Sequence, residues 1–98
     1  MDLLIVKKNR KIVVRKNIGH IFRSYNVIEY KSPDDNLSID DFYKVYGYTC
    51  FYKSDGKHIN ERPAQELTIT FVCYHYPMEM LQRIREERGI TVKQTGEG

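Results

Sequence analysis

Apolar residues fall in short runs along this chain, and polar or turn-forming residues separate the runs. Residues 3–6 are apolar, residues 7–11 are polar, and residues 12–14 are apolar again. Two such runs across a short polar loop predict a β-hairpin. Residues 25–31 predict a further strand, which we expect to be the central one. It ends before Pro33, because proline lacks the backbone donor that a sheet requires.

A helix is predicted from Ser38 to about Lys53. Ser38 is a favourable N-cap residue, and Asp41 follows three positions later, close to a capping-box arrangement. Gly47 in the middle of this helix predicts a close approach to the sheet, since glycine otherwise weakens a helix. The residues expected on its apolar face recur at helical spacing: Ile39, Phe42, Tyr43, Tyr46 and Cys50.

The second half of the chain predicts a strand, a helix and a strand. Residues 67–74 are β-branched or aromatic almost throughout, which is typical of a strand. A helix then begins at Pro77 and stops at Gly89, and residues 90–93 form a short last strand. The inward face of this helix is expected to contain Met78, Leu81 and Ile84.

The predicted order of elements is therefore β-β-β-α-β-α-β. We expect one domain over residues 1–98, of the α/β or α+β class, with a mixed central sheet flanked by helices. No repeat, linker or low-complexity segment interrupts it.

Composition narrows the class of protein only slightly. The net charge of +3 is compatible with a polyanionic partner but does not by itself indicate one. Cys50 and Cys73 lie in apolar stretches outside any CxxC pair, which favours two buried free thiols. No apolar run approaches the roughly 20 residues that span a bilayer, and no signal peptide is evident. We therefore expect a cytoplasmic protein without a membrane partner.

One pair of charged residues is a candidate for chemistry. Glu29 and Lys31 are two positions apart, so in a strand they project from the same face. Such pairs are common on solvent-exposed strands, and this structural interpretation is the more frequent one. A chemical role is favoured by the position of the pair at the end of a predicted central strand, by Asp2 at the start of the preceding hairpin, and by Lys44 on the following helix.

These residues carry a resemblance to a known superfamily. The chain resembles the PD-(D/E)XK nucleases in the order of its parts: Asp2, a hairpin, an apolar strand ending in Glu29-x-Lys31, and then a helix. The stretches NVIEYKSP, residues 26–33, and LSIDDFYKV, residues 37–45, are similar to a group of uncharacterised bacterial proteins of that superfamily. The resemblance covers nearly the whole chain and implies a restriction-endonuclease-like core.

The resemblance also implies a mechanism and its residues. Asp2 and Glu29, with the backbone carbonyl near Tyr30, would bind Mg²⁺ or Mn²⁺ through oxygen ligands. Lys31 would orient or deprotonate the attacking water, or stabilise charge on the phosphate. Lys44 would supply a further positive group, although an ordinary exposed lysine is an equally good interpretation. The implied partner is nucleic acid, DNA in preference to RNA.

The chain departs from the superfamily pattern at its beginning. The superfamily usually has a helix before the first strand, and here the sequence begins at Met1-Asp2. We expect the face that this helix would cover to promote a homo-oligomer.

Other residues have competing interpretations. The basic residues between positions 7 and 16 could follow a phosphate backbone or form a solvated turn. His20, His58 and His75 are expected at the surface or on strands. Four tyrosines could stack on bases but at helical spacing more often pack against the core: Tyr43, Tyr46, Tyr48 and Tyr52.

Two functions remain open from the sequence. The first is a metal-dependent phosphodiesterase acting on nucleic acid. The second is a non-catalytic protein of the nuclease fold that serves in nucleic-acid binding or oligomerisation.

Overall fold

The computed structural model describes residues 2–7, 23–90 and 92–96, and for residues 2–7 and 93–96 it describes the backbone alone. From residue 25 onwards strands and helices alternate, as expected for an α/β protein. The elements are β1 (Asp2–Lys7), β2 (Tyr25–Tyr30), α1 (Ile39–Ser54), a 3-10 turn (Ala64–Glu66), β3 (Leu67–Cys73), α2 (Met78–Arg88) and β4 (Val92–Gly96). No helix within the described ranges is long and apolar enough to cross a membrane.

The four described strands form one sheet in the order β2-β3-β1-β4, and all their pairings are parallel. The antiparallel hairpin predicted near the start involves residues 8–22, which lie outside the described residues. The mixed character of the sheet therefore stays a prediction. β2 lies at an edge of these four strands, so the prediction that it is the central strand is wrong. β4 begins two residues later than predicted.

β3 is one of the two interior strands, with β1, and its side chains are buried on both faces. All seven residues of β3 are buried, whereas β2 alternates between half-buried and exposed positions. A continuous apolar or β-branched run is typical of an interior strand in a parallel sheet, and alternation is typical of a strand with one solvated face. The polar residues Asn26 and Glu29 interrupt the run in β2 and suit it to an edge.

Both helices cover the same face of the sheet. Ile69 and Phe71 of β3 point into the core with residues from both helices, and Val27 of β2 packs against that core at its margin. Since residues two apart in a strand share a face, the helix-covered face of β2 also contains Glu29. The buried cluster consists of Leu37, Phe42, Val45, Ile69, Phe71, Cys73, Met80 and Ile84.

Helix α1 begins as its sequence predicts. Ser38 is the N-cap, and its side chain and that of Asp41 form a reciprocal capping box. The predicted apolar face is wrong at Cys50, which is exposed, because the buried positions Phe42, Val45 and Thr49 place the centre of that face one residue earlier. Gly47 does not approach the sheet: a Cβ built there would meet no atom within 4 Å.

Helix α2 buries Met80 and Ile84. The expected burial of Met78 is wrong, since this side chain is exposed. Met80 and Ile84 are four residues apart and therefore lie on one face of the helix. Met78 comes two residues before Met80, which places it about 200° around the helix axis from that face. The charged residues near the end of this helix are exposed, as expected for a solvated face.

The two glycines associated with the helices predict opposite effects on stability. Gly89 ends α2 with a φ of 60°, a left-handed conformation that costs other residues roughly 1–2 kcal/mol. We expect Gly89→Ala to lower the free energy of unfolding by about 1 kcal/mol. Gly47 is exposed within α1 with open space around it, so Gly47→Ala should raise that free energy by about 0.5–1 kcal/mol. Urea denaturation measures both, and equal shifts in one direction would contradict the assigned conformations.

Candidate functional site

The edge strand β2 directs its two predicted site residues towards α1. Val27, Glu29 and Lys31 are half-buried, while Ile28 and Tyr30 between them are exposed. The Lys31 backbone N–H donates to the Val72 carbonyl at 2.9 Å, so the strand pairing continues through this lysine. The prediction that Glu29 and Lys31 lie on one face is therefore confirmed.

Helix α1 supplies the opposite wall of a cleft. Asp41, Lys44, Val45 and Tyr48 recur at i, i+3, i+4 and i+7, which places them on one side of a helix. Together with residues of β2 they line a half-open cavity of about 400 Å³, a size within the range of small-ligand sites. The lining residues are Val27, Ile28, Glu29, Asp41, Lys44, Val45 and Tyr48.

An ion pair joins the two walls. The Lys31 Nζ lies 3.1 Å from the Asp41 Oδ1, and both side chains are only about a fifth exposed. The other carboxylate oxygen, Oδ2, accepts hydrogen bonds from the Ser38 backbone N–H at 2.9 Å and its hydroxyl at 3.0 Å. Lys31 is thus held against the cleft wall formed by Asp41.

The surroundings of Asp41 also change its acidity. Burial alone would raise the pKa of this carboxyl, but the hydrogen bonds from Ser38 and Lys31 and the charge of Lys31 outweigh it, so the pKa is lowered. Asp41 therefore keeps its negative charge at neutral pH, and the ion pair with Lys31 is fully formed there.

Glu29 and Lys44 are placed differently from this pair. Among the described residues, none donates a hydrogen bond to the Glu29 carboxylate and none forms an ion pair with the Lys44 ammonium. The cleft therefore combines a half-buried carboxylate and an exposed ammonium that are both available to a bound molecule.

Asp2 does not join this group. It is in register with Thr68 of β3, which is in turn in register with Asn26 of β2, three positions before Glu29. Two interstrand spacings of about 4.8 Å and three residue rises of about 3.3 Å then separate the Asp2 and Glu29 backbones by about 14 Å. The sheet order, with β3 between β1 and β2, is the physical reason.

The two carboxylate residues of the metal set implied by the resemblance lie on strands that are not neighbours in the sheet. Glu29 and the carbonyl of Tyr30 are neighbours in β2, but the second carboxylate, Asp2, is distant. No group of three or more His, Cys, Asp or Glu side chains within the described part of the chain is placed to hold a metal ion. The cleft itself offers one unpaired carboxylate, that of Glu29.

Comparison with family models, with curated proteins and with solved structures gives no match to this chain. The site is therefore interpreted from its own geometry.

Two cleft residues were missed as site residues by the sequence reasoning. Sequence reasoning gives Asp41 a role in helix capping only, and for Tyr48 it favours packing over stacking on a base. The i, i+3, i+4, i+7 spacing from Asp41 to Tyr48 was the available signal, because it predicts a second stripe on α1 beside the apolar one.

The other candidate residues have structural roles or remain outside the described ranges. Tyr43 and Tyr46 pack edge to face against Phe42, which confirms the packing interpretation for both. His58 and His75 are exposed. His20 and the basic residues from 8 to 16 lie outside the described residues.

Replacing Asp41 by Asn tests the ion pair through its pH dependence. The variant loses the negative charge within the capping box and the pair with Lys31, and we expect the free energy of unfolding at pH 7 to fall by about 1 kcal/mol. Because the folded-state pKa is lowered, this contribution is present above the unfolded value of about 3.9 and is lost as the pH falls through the folded value. Urea denaturation of both proteins across pH 2.5–7, roughly the window of this titration, should show the difference narrowing below about pH 4. A difference independent of pH would contradict the pairing.

Proposed function

We propose that this chain is a nuclease-type domain, related to the PD-(D/E)XK enzymes, that hydrolyses phosphodiester bonds with DNA preferred over RNA. The supporting observation is that Glu29 and Lys44 line one cleft, while Lys31 is paired with Asp41 in its wall. The restriction-endonuclease-like core belongs to this proposal, since the parallel sheet flanked by helices supports only an α/β class.

The roles of the residues follow from their chemistry. Lys44 is exposed at the cleft and donates to a phosphate oxygen of the substrate. Lys31 supplies a second positive charge, which becomes available to the phosphate when its ammonium turns from Asp41 towards the cleft. Two such groups stabilise the negative charge that develops on the phosphate as the attacking oxygen approaches.

Glu29 is the group placed to act on the attacking water. Its carboxylate has no partner among the described residues and lines the cleft on the β2 side. A carboxylate within hydrogen-bond reach of water orients it and accepts its proton as the new phosphorus–oxygen bond forms. The proton of the water passes to Glu29, the bond between phosphorus and the leaving oxygen breaks, and the leaving oxygen takes a proton from solvent.

The resemblance implies Mg²⁺ or Mn²⁺ as cofactor. The dependence of cleavage on either ion is left to the assay described below. Asp2 lies away from Glu29, so no step is assigned to a bound metal.

The second candidate is a non-catalytic protein of the same descent. The separation of Asp2 from Glu29 favours it, because the two-carboxylate centre of the active superfamily is not assembled here. Ile28 and Tyr30 on the opposite face of β2 are 49% and 48% exposed. This apolar surface is our candidate for the homo-oligomer contact predicted from the sequence.

Cleavage of supercoiled plasmid DNA, with EDTA, Mg²⁺ or Mn²⁺, tests the proposal, and calorimetric titration of each metal runs in parallel. We expect nicked and linear product, and the difference in rate between the metal and EDTA reactions measures whether a metal takes part. Absence of product under all three conditions would contradict catalysis and support the second candidate. A parallel assay on single-stranded DNA and single-stranded RNA of equal length and sequence measures the proposed preference for DNA.

A further inference from the structure

Tyr48 forms an aromatic wall of the cleft. Its side chain is 61% exposed although it lines the cavity with Glu29 and Lys44. A large ring exposed at a concave site differs from Tyr43 and Tyr46, which pack against Phe42. It therefore has ring surface available for a ligand.

The ring of Tyr48 stacks against the ring of Tyr52. It lies parallel to the Tyr52 ring, with an interplanar angle of 6° and a centroid distance of 6.5 Å. The Arg62 guanidinium lies 4.2 Å from the centroid of the Tyr52 ring and donates to the Tyr52 carbonyl at 2.7 Å. Tyr25 contacts the Tyr52 ring edge to face. These contacts hold the Tyr52 ring in place, and the Tyr48 ring stacks against it.

Among the charged residues of α1, Lys44 is the one closest to Tyr48 in the sequence, four positions before it. Residues four apart on a helix are neighbours on its surface, so Lys44 and Tyr48 lie side by side in the cleft wall. A ligand that fits both groups combines a flat π-system with a nearby anionic oxygen. Nucleotides have both features. Because Glu29 lies across the cleft and carries a negative charge, it disfavours a ligand with an anionic group next to it.

We propose that the cleft takes one unpaired nucleotide of a single-stranded nucleic acid, with the base stacked on Tyr48 and the adjacent phosphate on Lys44. This inference rests on the proposed function and specifies its substrate class. In a duplex the faces of the bases are already stacked on each other, so a base must be unpaired to meet the Tyr48 ring.

Fluorescence anisotropy of end-labelled oligonucleotides tests the proposal. The titrations use single-stranded DNA, single-stranded RNA and duplex DNA of equal length, with EDTA to prevent metal-dependent cleavage. We expect single strands to bind more tightly than the duplex. Tyr48→Ala should weaken single-strand binding about tenfold, the loss typical of one stacked base, while Tyr48→Phe retains the ring and the affinity.

Phe51→Ala is the matched control. Phe51 is 66% exposed on the same helix but does not line the cleft, so its removal should leave binding unchanged. Equal affinity of wild type and Tyr48→Ala, equal weakening by Phe51→Ala, or tighter binding of the duplex would each overturn the proposal. Tighter binding of RNA than of DNA would retain the stacking site and contradict only the DNA preference.

The binding assay separates the two proposals. Single-strand binding that depends on Tyr48, together with absence of cleavage, supports the nucleotide site and contradicts the nuclease. Cleavage that is unaffected by Tyr48→Ala supports the nuclease and overturns the nucleotide site.

Discussion

Replacing Lys31 by Met is expected to lower the rate of DNA cleavage by about 10²–10³-fold, the typical loss when one group that stabilises transition-state charge is removed. Methionine keeps much of the length of the side chain and removes its charge and its donors. The rate is measured under single-turnover conditions, so that the chemical step and not product release determines it.

Lys57→Met is the control for this change. Lys57 is exposed in the loop after α1, outside the cleft, and its replacement removes the same charge from the protein. We expect its cleavage rate to stay near that of wild type. Equal rates for Lys31→Met and wild type would remove Lys31 from the mechanism, and an equal loss in Lys57→Met would show that only overall charge matters.

Phe71→Ala is expected to have the largest effect on stability. Phe71 is fully buried at the centre of β3 and packs against Phe42 of α1, with ring centroids 6.3 Å apart. Removing a buried phenylalanine ring costs about 3–5 kcal/mol, a large part of the 5–15 kcal/mol that stabilises a typical domain. Urea denaturation should show a much lower midpoint, or a protein that is already unfolded in water.

Phe51→Ala gives the comparison for this substitution. The same ring is removed from an exposed position on α1, and we expect the free energy of unfolding to change by less than about 0.5 kcal/mol. A large loss in Phe51→Ala, or a small one in Phe71→Ala, would contradict the assignment of the core to the face between the sheet and the helices.

Local signals in the sequence predicted the elements well. The Ser38–Asp41 capping box defined the start of α1, Gly89 defined the end of α2, and the β-branched run from 67 to 73 defined β3. Each signal depends on residues within a few positions of one another, and such contacts form in the structure largely as the local sequence dictates.

The order of the strands was the part that local patterns did not predict. Burial of β3 on both faces depends on which strands flank it. The polar residues in β2 are compatible with an edge position, but they do not specify which strand pairs with β2. The predicted proximity of Asp2 to Glu29 depended on the same choice and is not seen in the sheet register. The Lys31–Asp41 pair was missed for a related reason, since it joins a strand to a helix through tertiary packing.

Glu29→Gln is the substitution on which the proposed site depends most directly. It removes the charge of the cleft's unpaired carboxylate and leaves the size of the side chain almost unchanged. Glu86→Gln on the exposed face of α2 is the matched control. Single-turnover cleavage of plasmid DNA with Mn²⁺ should proceed equally in wild type and Glu86→Gln, and about 10²–10⁴-fold more slowly in Glu29→Gln. Cleavage by Glu29→Gln at the wild-type rate would contradict a reactive centre at Glu29.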